Sequence, residues 1–198
     1  YLALIENHDI QTINVDDKKK IRMPGISDEE FLREKIPMTK QEVRQISIAR
    51  LALTEDAVVY DIGSGSGSVS VEIARLSPAI RVYAIEQKKE ALALTMRNAE
   101  KFGCKNIIPV EAKAPEKLET LPVPTHAFIG GSSGCMEEIL TALYQKNPKM
   151  HVVINAITLE TVGEIIAYMK KFEICGEQVT QLSVARGKQA GNYHLMQA

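Results

Sequence analysis

A glycine-rich segment that begins with an acidic residue is the clearest candidate for binding a charged ligand. Asp61-Ile-Gly-Ser-Gly-Ser-Gly67 follows a short run of β-branched residues and precedes a helical pattern. Glycines permit positive φ and let a ligand approach the backbone closely, and the N-terminus of the following helix offers unpaired N–H groups to an anion. The sequence therefore predicts a cofactor-binding turn whose contributing residues are Asp61, Gly63, Ser64, Gly65 and Gly67.

The spacing of these glycines indicates which cofactor the turn would bind. A dinucleotide-binding G-x-G-x-x-G needs its third glycine at position 68, but Ser68 occupies that position and the third glycine is Gly67. The Asp61 carboxylate suits the cationic amino group of a methionine moiety and would repel a pyrophosphate. Both features favour S-adenosylmethionine over a nicotinamide dinucleotide. The alternative is a turn that merely connects a strand to a helix.

Further candidates follow the next three strands of the same alternating pattern. Glu86 ends the second strand, where an acid can accept both ribose hydroxyls of a nucleoside. Because ligands of open parallel sheets bind beyond the carboxyl ends of the strands, the turns after the third and fourth strands should face the same crevice. We expect Ala112, Lys113 and Ala114 to lie near the adenine, and Gly130 and Gly131 to admit cofactor or substrate.

The pattern of apolar residues predicts the elements that position this crevice. Five short apolar runs, near residues 57–62, 81–86, 107–110, 125–129 and 151–155, alternate with helical patterns. Such alternation predicts a parallel α/β sheet with helices on both faces. Two further strands, within 174–184 and 193–196, lack a helix between them and should form an antiparallel hairpin. We expect residues 1–38 to be an arm or small strand extension, and residues 39–198 to be the main domain.

The start of the first helix carries a second local signal. Thr39-Lys-Gln-Glu42 has the spacing of a capping box, in which the threonine hydroxyl and the glutamate carboxylate accept from backbone N–H groups. This predicts a helix over residues 40–51.

Composition excludes several classes of protein. The net charge is −1, which argues against a nucleic-acid binder, and no apolar run has the length of a membrane span. The three cysteines show no C-x-x-C spacing, and the four histidines show no metal-ligand spacing. We therefore predict a cytoplasmic protein with reduced thiols and without a metal site.

The glycine turn and Glu86 together resemble the class I S-adenosylmethionine-dependent methyltransferases over residues 57–155. This resemblance implies a Rossmann-like fold with a mostly parallel, seven-stranded sheet. A narrower resemblance rests on Gly25-Ile-Ser-Asp-Glu-Glu-Phe31, Ile36-Pro-Met-Thr-Lys40, Glu111-Ala-Lys-Ala-Pro-Glu116, Ile129-Gly-Gly-Ser-Ser-Gly134, Asn155-Ala-Ile-Thr-Leu-Glu160 and Val184-Ala-Arg-Gly187. These segments, in this order, resemble the decarboxylating precorrin methyltransferases of cobalamin biosynthesis, including the C-terminal part of C5,15-methyltransferases.

That family resemblance implies a substrate and partners. Its members methylate C15 of a precorrin-6B-type ring, with or without cobalt, and remove CO2 from the C12 acetate of ring C. A homo-oligomer such as a tetramer is implied, together with a fused or separate C5-methyltransferase. One departure is Lys113, which stands where the family often has an aspartate against the adenine.

A substrate with many carboxylates needs basic partners. The candidates are Lys40 and Arg44 in the first helix, and Arg186 and Lys188 in the expected loop between the last two strands. Each of them could instead be a solvated surface charge. Thr39 adjoins a segment that could cover the cofactor. No catalytic acid or base is identified, and Glu111 and His126 are weak options.

Three other functions remain open at this point. The first is a methyltransferase acting on RNA, such as tRNA, or on another small molecule. Aromatic residues make up only 5% of the chain, tryptophan is absent, and no Asn/Asp-Pro-Pro-Tyr/Phe run occurs, so RNA is less favoured. The second is an NAD-dependent oxidoreductase, and the third is a noncatalytic subunit that retains the cofactor fold.

Overall fold

The computed structural model describes residues 23–172 and 176–197, so the arm before residue 23 lies outside the described residues. Five strands and five helices alternate from residue 41 to residue 171, and a hairpin follows. The strands are β1 Val58–Ile62, β2 Arg81–Glu86, β3 Ile107–Glu111, β4 His126–Ile129, β5 His151–Ile154, β6 Arg186–Ala190 and β7 Tyr193–Gln197. The helices are α1 Gln41–Leu51, α2 Ser68–Leu76, α3 Lys89–Lys101, α4 Met136–Lys146 and α5 Leu159–Lys171.

Strands β1 to β5 form one parallel sheet in the order β3-β2-β1-β4-β5. The order reverses between β1 and β4, which makes the carboxyl ends of these strands a topological switch point. Pro109 lies in β3, an edge strand, as its missing N–H predicts. The parallel α/β architecture expected from the sequence is confirmed.

Two apolar cores cover the two faces of the sheet. Residues of α1, α2 and α3 pack with Val59 on one face. Residues of α4 and Tyr168 of α5 pack with Tyr60 and Ile62 on the other. Because successive side chains of a strand point to opposite faces, β1 contributes to both cores and is buried along its whole length. Helices therefore lie on both faces, as predicted.

The C-terminal strands form a separate two-stranded antiparallel sheet. The hairpin is confirmed, but the expected seven strands divide into five plus two. The first of its strands also begins later than expected, at Arg186, and residues 177–185 form no strand. Val179 and Leu182 are spaced by three, so they cannot share one face of a strand. Residue 174, where that strand was expected to begin, lies outside the described residues.

The segment before α1 packs onto the main domain. Ile26 and Phe31 are buried in the core beside α1, α2 and α3. The expected capping box is not formed, because α1 begins at Gln41 and its N-cap, Lys40, has extended backbone angles. The N-cap position makes no side-chain hydrogen bond. The carbonyl oxygen of Thr39 instead accepts from Arg44 Nη1 at 2.5 Å.

No helix within residues 23–172 and 176–197 is both long and apolar enough to cross a membrane. Within the same ranges, no group of three or more histidine, cysteine or acidic residues could hold a metal ion.

Candidate functional site

A cavity of about 1040 Å³ opens at the carboxyl ends of the parallel strands. This volume lies at the upper end of the range for small-molecule sites, roughly 300–1,000 Å³. Most of the residues that the sequence singled out line it: Thr39, Lys40, Asp61, Gly63, Ser64, Gly65, Glu86, Lys113, Ala114, Gly130 and Gly131. The remaining candidates Gly67, Ala112, Arg44, Arg186 and Lys188 lie outside its lining.

The glycine turn after β1 is anchored to the neighbouring strand. The backbone N–H groups of Gly63 and Ser64 both donate to the carbonyl oxygen of Ile85, at 2.9 and 3.2 Å. All three glycines of the turn have positive φ. Gly67, however, faces α3 rather than the cavity, since a Cβ there would lie 2.8 Å from Thr95 Cα. Its glycine is needed for packing between the turn and that helix.

Asp61 lies at the base of the cavity and is almost fully buried. Its Oδ2 accepts from the hydroxyl of Ser70, whereas its Oδ1 has no hydrogen-bond partner among the described residues. Burial raises the pKa of this carboxyl to about 6, and the negative charge of Glu86 acts in the same direction. A buried carboxylate with a free oxygen is a strong acceptor for a cationic donor.

Glu86 is held in place by the backbone. Its Oε2 accepts from the N–H of Gly65 at 3.2 Å, and its Oε1 accepts from the N–H of Lys88 at 2.9 Å. A carboxylate has about four lone-pair positions, so both oxygens can accept further hydrogen bonds from a ligand. This geometry suits a pair of neighbouring hydroxyl groups.

The turn after β3 contributes less than expected. Lys113 and Ala114 line the cavity, but Ala112 is buried in the core beneath it. Across the cavity mouth, Gln87 Nε2 donates to Ser133 Oγ at 2.8 Å. This bond joins the turn after β2 to the turn after β4, and the sequence patterns did not indicate it.

Residues 34–40 form one wall of the cavity. A Cβ at Gly65 would lie 3.1 Å from the carbonyl oxygen of Pro37, so this wall runs directly over the glycine turn. Arg44 stabilises it from behind by its bond to the carbonyl of Thr39. Thr39 therefore lies at the cavity, as expected, although its side chain does not cap α1.

Three of the four basic candidates do not reach the cavity lining. Arg44 is fully buried between Asp28 and Glu72, at 3.1 and 2.5 Å, so it cannot contact a substrate in this arrangement. Arg186 pairs with Glu42, which raises the pKa of its guanidinium. Arg186 and Lys188 belong to β6 rather than to a loop. Lys40, at the start of α1, is the one of the four that lines the cavity.

Neither weak catalytic option lies in the cavity lining. Glu111 ends β3, and His126 begins β4 at the opposite, amino end of the sheet. The sequence patterns also missed other residues that line the cavity, among them Asn155, Ile157 and the segment 180–182. Asn155 could have been found, because it follows directly on the carboxyl end of β5. The segment 180–182 has no local pattern that would place it here.

The sheet order, the glycine turn after β1 and the acid at the end of β2 define a Rossmann-like domain of the class I methyltransferase type. A family model described as "precorrin methyltransferase domain" matches residues 30–198, and the chain belongs to this family. The chain is similar to a protein of Pyrobaculum calidifontis named probable cobalt-precorrin-6B C(15)-methyltransferase (decarboxylating). The two are 42% identical over 178 residues, which cover 88% of this chain and 91% of the relative.

Two crystal structures share the fold and the family. A precorrin-6y C5,15-methyltransferase from Geobacter metallireducens is 38% identical, with a TM-score of 0.77, and the match covers 87% of this chain and 90% of that one. A precorrin 8w decarboxylase from Methanobacterium thermoautotrophicum is 31% identical, with a TM-score of 0.78, and the match covers 86% and 92%.

Proposed function

We propose that this protein is an S-adenosylmethionine-dependent methyltransferase of corrin biosynthesis. It methylates C15 of a cobalt-precorrin-6B-type tetrapyrrole and removes CO2 from the C12 acetate. The observation that carries the proposal is that Asp61 and Glu86 line the same cavity, in a chain that belongs to the precorrin methyltransferase family. The substrate is inferred from the names of the relatives described above.

The described residues fit S-adenosylmethionine. The free Oδ1 of Asp61 would accept from the cationic amino group, and Glu86 would accept from the ribose hydroxyls. The N-terminus of α2 offers N–H groups to the cofactor carboxylate. Backbone groups of residues 112–114 would contact the adenine, with Lys113 and Ala114 at the cavity. Gly130 lines the same cavity, and its missing side chain makes room for the ring of Phe128, from which a Cβ would lie 3.1 Å.

When bound, S-adenosylmethionine would supply an electrophilic methyl group on a sulfonium. The protein's share is then chiefly to position the acceptor in line with that methyl group. No histidine or cysteine lines the cavity within residues 23–172 and 176–197, which agrees with a reaction that depends on orientation. Lys40 lines the cavity and would contact a carboxylate of the substrate.

The proposal also includes a homo-oligomer formed through the C-terminal hairpin. β6 and β7 are exposed along their whole length, and Tyr193 and Leu195 are 75% and 55% exposed. Because an isolated two-stranded hairpin is only marginally stable, we expect it to pack against a second copy of the chain. Light scattering tests this, and we expect Leu195→Lys to lower the measured mass of the particle. A cytoplasmic location and a C5-methyltransferase partner stay predictions.

The test of the function is an anaerobic reaction of the protein with S-adenosylmethionine and a precorrin-6B-type tetrapyrrole. The reaction is run with and without cobalt in the ring, and the product mass is measured. We expect a gain of one methyl group together with the loss of one CO2. A gain of methyl alone would contradict the coupled decarboxylation and keep the ring as substrate.

Calorimetric binding of the cofactor without any change in the tetrapyrrole would contradict the substrate assignment. That result would favour the RNA methyltransferase. Calorimetric binding of NAD in place of S-adenosylmethionine would favour the oxidoreductase, and binding of neither would favour a noncatalytic subunit. Names of relatives at 30% identity or above favour the tetrapyrrole over both RNA and NAD.

A further inference from the structure

The sheet order divides the cavity into two sides. Asp61 and Glu86 lie at the carboxyl ends of β1 and β2 and Lys113 follows β3, whereas Asn155 and Ile157 follow β5 beyond the switch point. On the function proposed above, the two acids hold the cofactor on the first side. The acceptor molecule must then lie on the second side, at the end of β5.

The second side offers a fixed neutral hydrogen-bond donor. Asn155 Oδ1 accepts a shared hydrogen bond from the hydroxyl of Ser47 in α1 at 3.1 Å, since that hydroxyl also donates to the carbonyl oxygen of Val43 at 2.8 Å, and Ser47 is almost fully buried. No described residue accepts from the Asn155 side-chain nitrogen. An amide nitrogen carries two N–H donors. Because the oxygen is tied to α1, these donors face away from Ser47 and are available to a ligand in the cavity.

The surroundings of this donor are apolar and carry little charge. Ile154, Ile157 and Leu182 line the cavity beside it, and Ile157 is 98% exposed in the single chain. Lys40, at the start of α1, also lines the cavity. It lies roughly 10 Å along the helix axis from Ser47, at about 1.5 Å per residue. A flat macrocycle laid on these side chains would cover the exposed isoleucine.

We propose that Asn155, together with Ile154, Ile157 and Leu182, forms the subsite for the substrate acetate that is lost as CO2. A cationic partner would stabilise the carboxylate before reaction and so oppose its departure, because only interactions that strengthen in the transition state accelerate a reaction. A neutral amide orients the carboxylate with less stabilisation of its charge. Once a macrocycle covers Ile157 and Leu182, these apolar side chains would displace water and further weaken solvation of the carboxylate.

The proposed step balances without another reactant. Methyl transfer leaves a positive charge on the ring system. The bond between the acetate methylene and the carboxylate carbon then breaks, and its electron pair neutralises that charge as CO2 leaves. The product carries an exocyclic methylene, which becomes a methyl group by a proton shift within the ring system. No oxidant, reductant or external base is consumed.

The experiment measures two products by mass, the methylated ring that keeps its carboxylate and the methylated ring that has lost CO2. For Asn155→Ala we expect at least a tenfold increase in the ratio of the first to the second, with cofactor affinity unchanged within twofold. Ser47→Ala should shift the ratio in the same direction by a smaller factor, because it frees the amide. Ile157→Asp should also raise the ratio, since it introduces a charge beside the subsite.

Val123→Asp is the matched control for Ile157→Asp. Val123 is also an exposed apolar residue, at 58%, but it precedes β4 and lies outside the cavity lining. It should behave as wild type. If the variants at Asn155 and Ile157 keep the wild-type ratio of products, the subsite is overturned. If the wild-type protein does not methylate the tetrapyrrole at all, both the proposed function and the subsite are wrong. This result differs from an unchanged product ratio in the variants, which would overturn the subsite alone.

Discussion

A Cβ atom on Gly63 would lie 2.8 Å from the carbonyl oxygen of Gly131. The turns after β1 and β4 are therefore in contact through backbone atoms alone. This contact fixes the floor of the cavity between the two sides that the sheet order defines. It explains why position 63 is a glycine, whereas a Cβ at Gly131 would meet nothing within 4 Å.

Gly63→Ala should disturb that floor. The added methyl group meets backbone that cannot rotate away, and such overpacking costs about 1–3 kcal/mol. We expect a loss of at least tenfold in cofactor affinity, measured by calorimetry, and a lower free energy of unfolding in urea.

Gly103→Ala is the control for this substitution. Gly103 also has positive φ, at 68° against 73° for Gly63, but a Cβ there meets nothing within 4 Å. Both variants carry the cost of a left-handed alanine, about 1–2 kcal/mol. Equal stability and equal cofactor affinity in the two variants would contradict the contact between the turns.

Asp61→Asn should stabilise the cofactor-free protein and weaken cofactor binding. Burial raises the pKa of Asp61 from 3.8 to about 6, so the folded state resists ionisation. Stability is therefore lost as the pH rises from about 4 through 6. The asparagine does not ionise, so it removes this loss in the free energy of unfolding, which amounts to at most about 3 kcal/mol at pH 8. Its side-chain oxygen can still accept from the hydroxyl of Ser70.

The measurement is urea unfolding of both proteins at pH 4 and pH 8, with calorimetry of the cofactor. The stability gain should be present at pH 8 and vanish near pH 4. Cofactor affinity of the wild type should fall as the pH drops below about 6, where Asp61 becomes protonated. A pH-independent stability difference would show that ionisation of Asp61 is not its cause.

Arg44→Met should destabilise the protein strongly. The guanidinium is fully buried and pairs with Asp28 and Glu72, so the substitution leaves Glu72 without its cationic partner and Asp28 with Arg186 alone. Breaking a buried pair in this way costs about 3–5 kcal/mol. The matched control is Arg97→Met, because Arg97 pairs with Glu34 at the surface, where such pairs contribute about 0–1 kcal/mol. Thermal unfolding of both variants tests this, and equal melting temperatures would contradict it.

His126→Gln should make the free energy of unfolding less dependent on pH below neutrality. Burial lowers the pKa of His126 from 6.5, and the neighbouring His151 lowers it further. The unfolded chain therefore binds a proton that the folded protein resists, and stability is lost as the pH falls below 6.5. We expect the free energy of unfolding to decline less between pH 7 and pH 5 in the variant. An unchanged decline would mean that other groups cause it.

Local sequence determined the first side of the cavity. Asp61, the glycines after it and Glu86 lie at strand ends, and a strand followed by a glycine turn and a helix specifies its own backbone path. The alternation of apolar runs likewise determined a parallel sheet, because parallel strands need a helical crossover between them. These features depend on neighbours along the chain, so periodicity and spacing were enough to predict them.

Tertiary structure alone decided what the charged and polar side chains contact. The positive charge of Arg44 suggested that it binds substrate carboxylates. In the structure, however, it pairs inside the core with Asp28 and Glu72, which come from distant segments. Thr39 and Glu42 have the spacing of a capping box, but α1 begins at Gln41, one residue later than that box requires. The carbonyl oxygen of Thr39 accepts from Arg44 instead. Asn155 depends in the same way on Ser47, far from it in the chain. A charge or amide pairs with whatever the fold packs against it, and spacing along the sequence does not encode that partner.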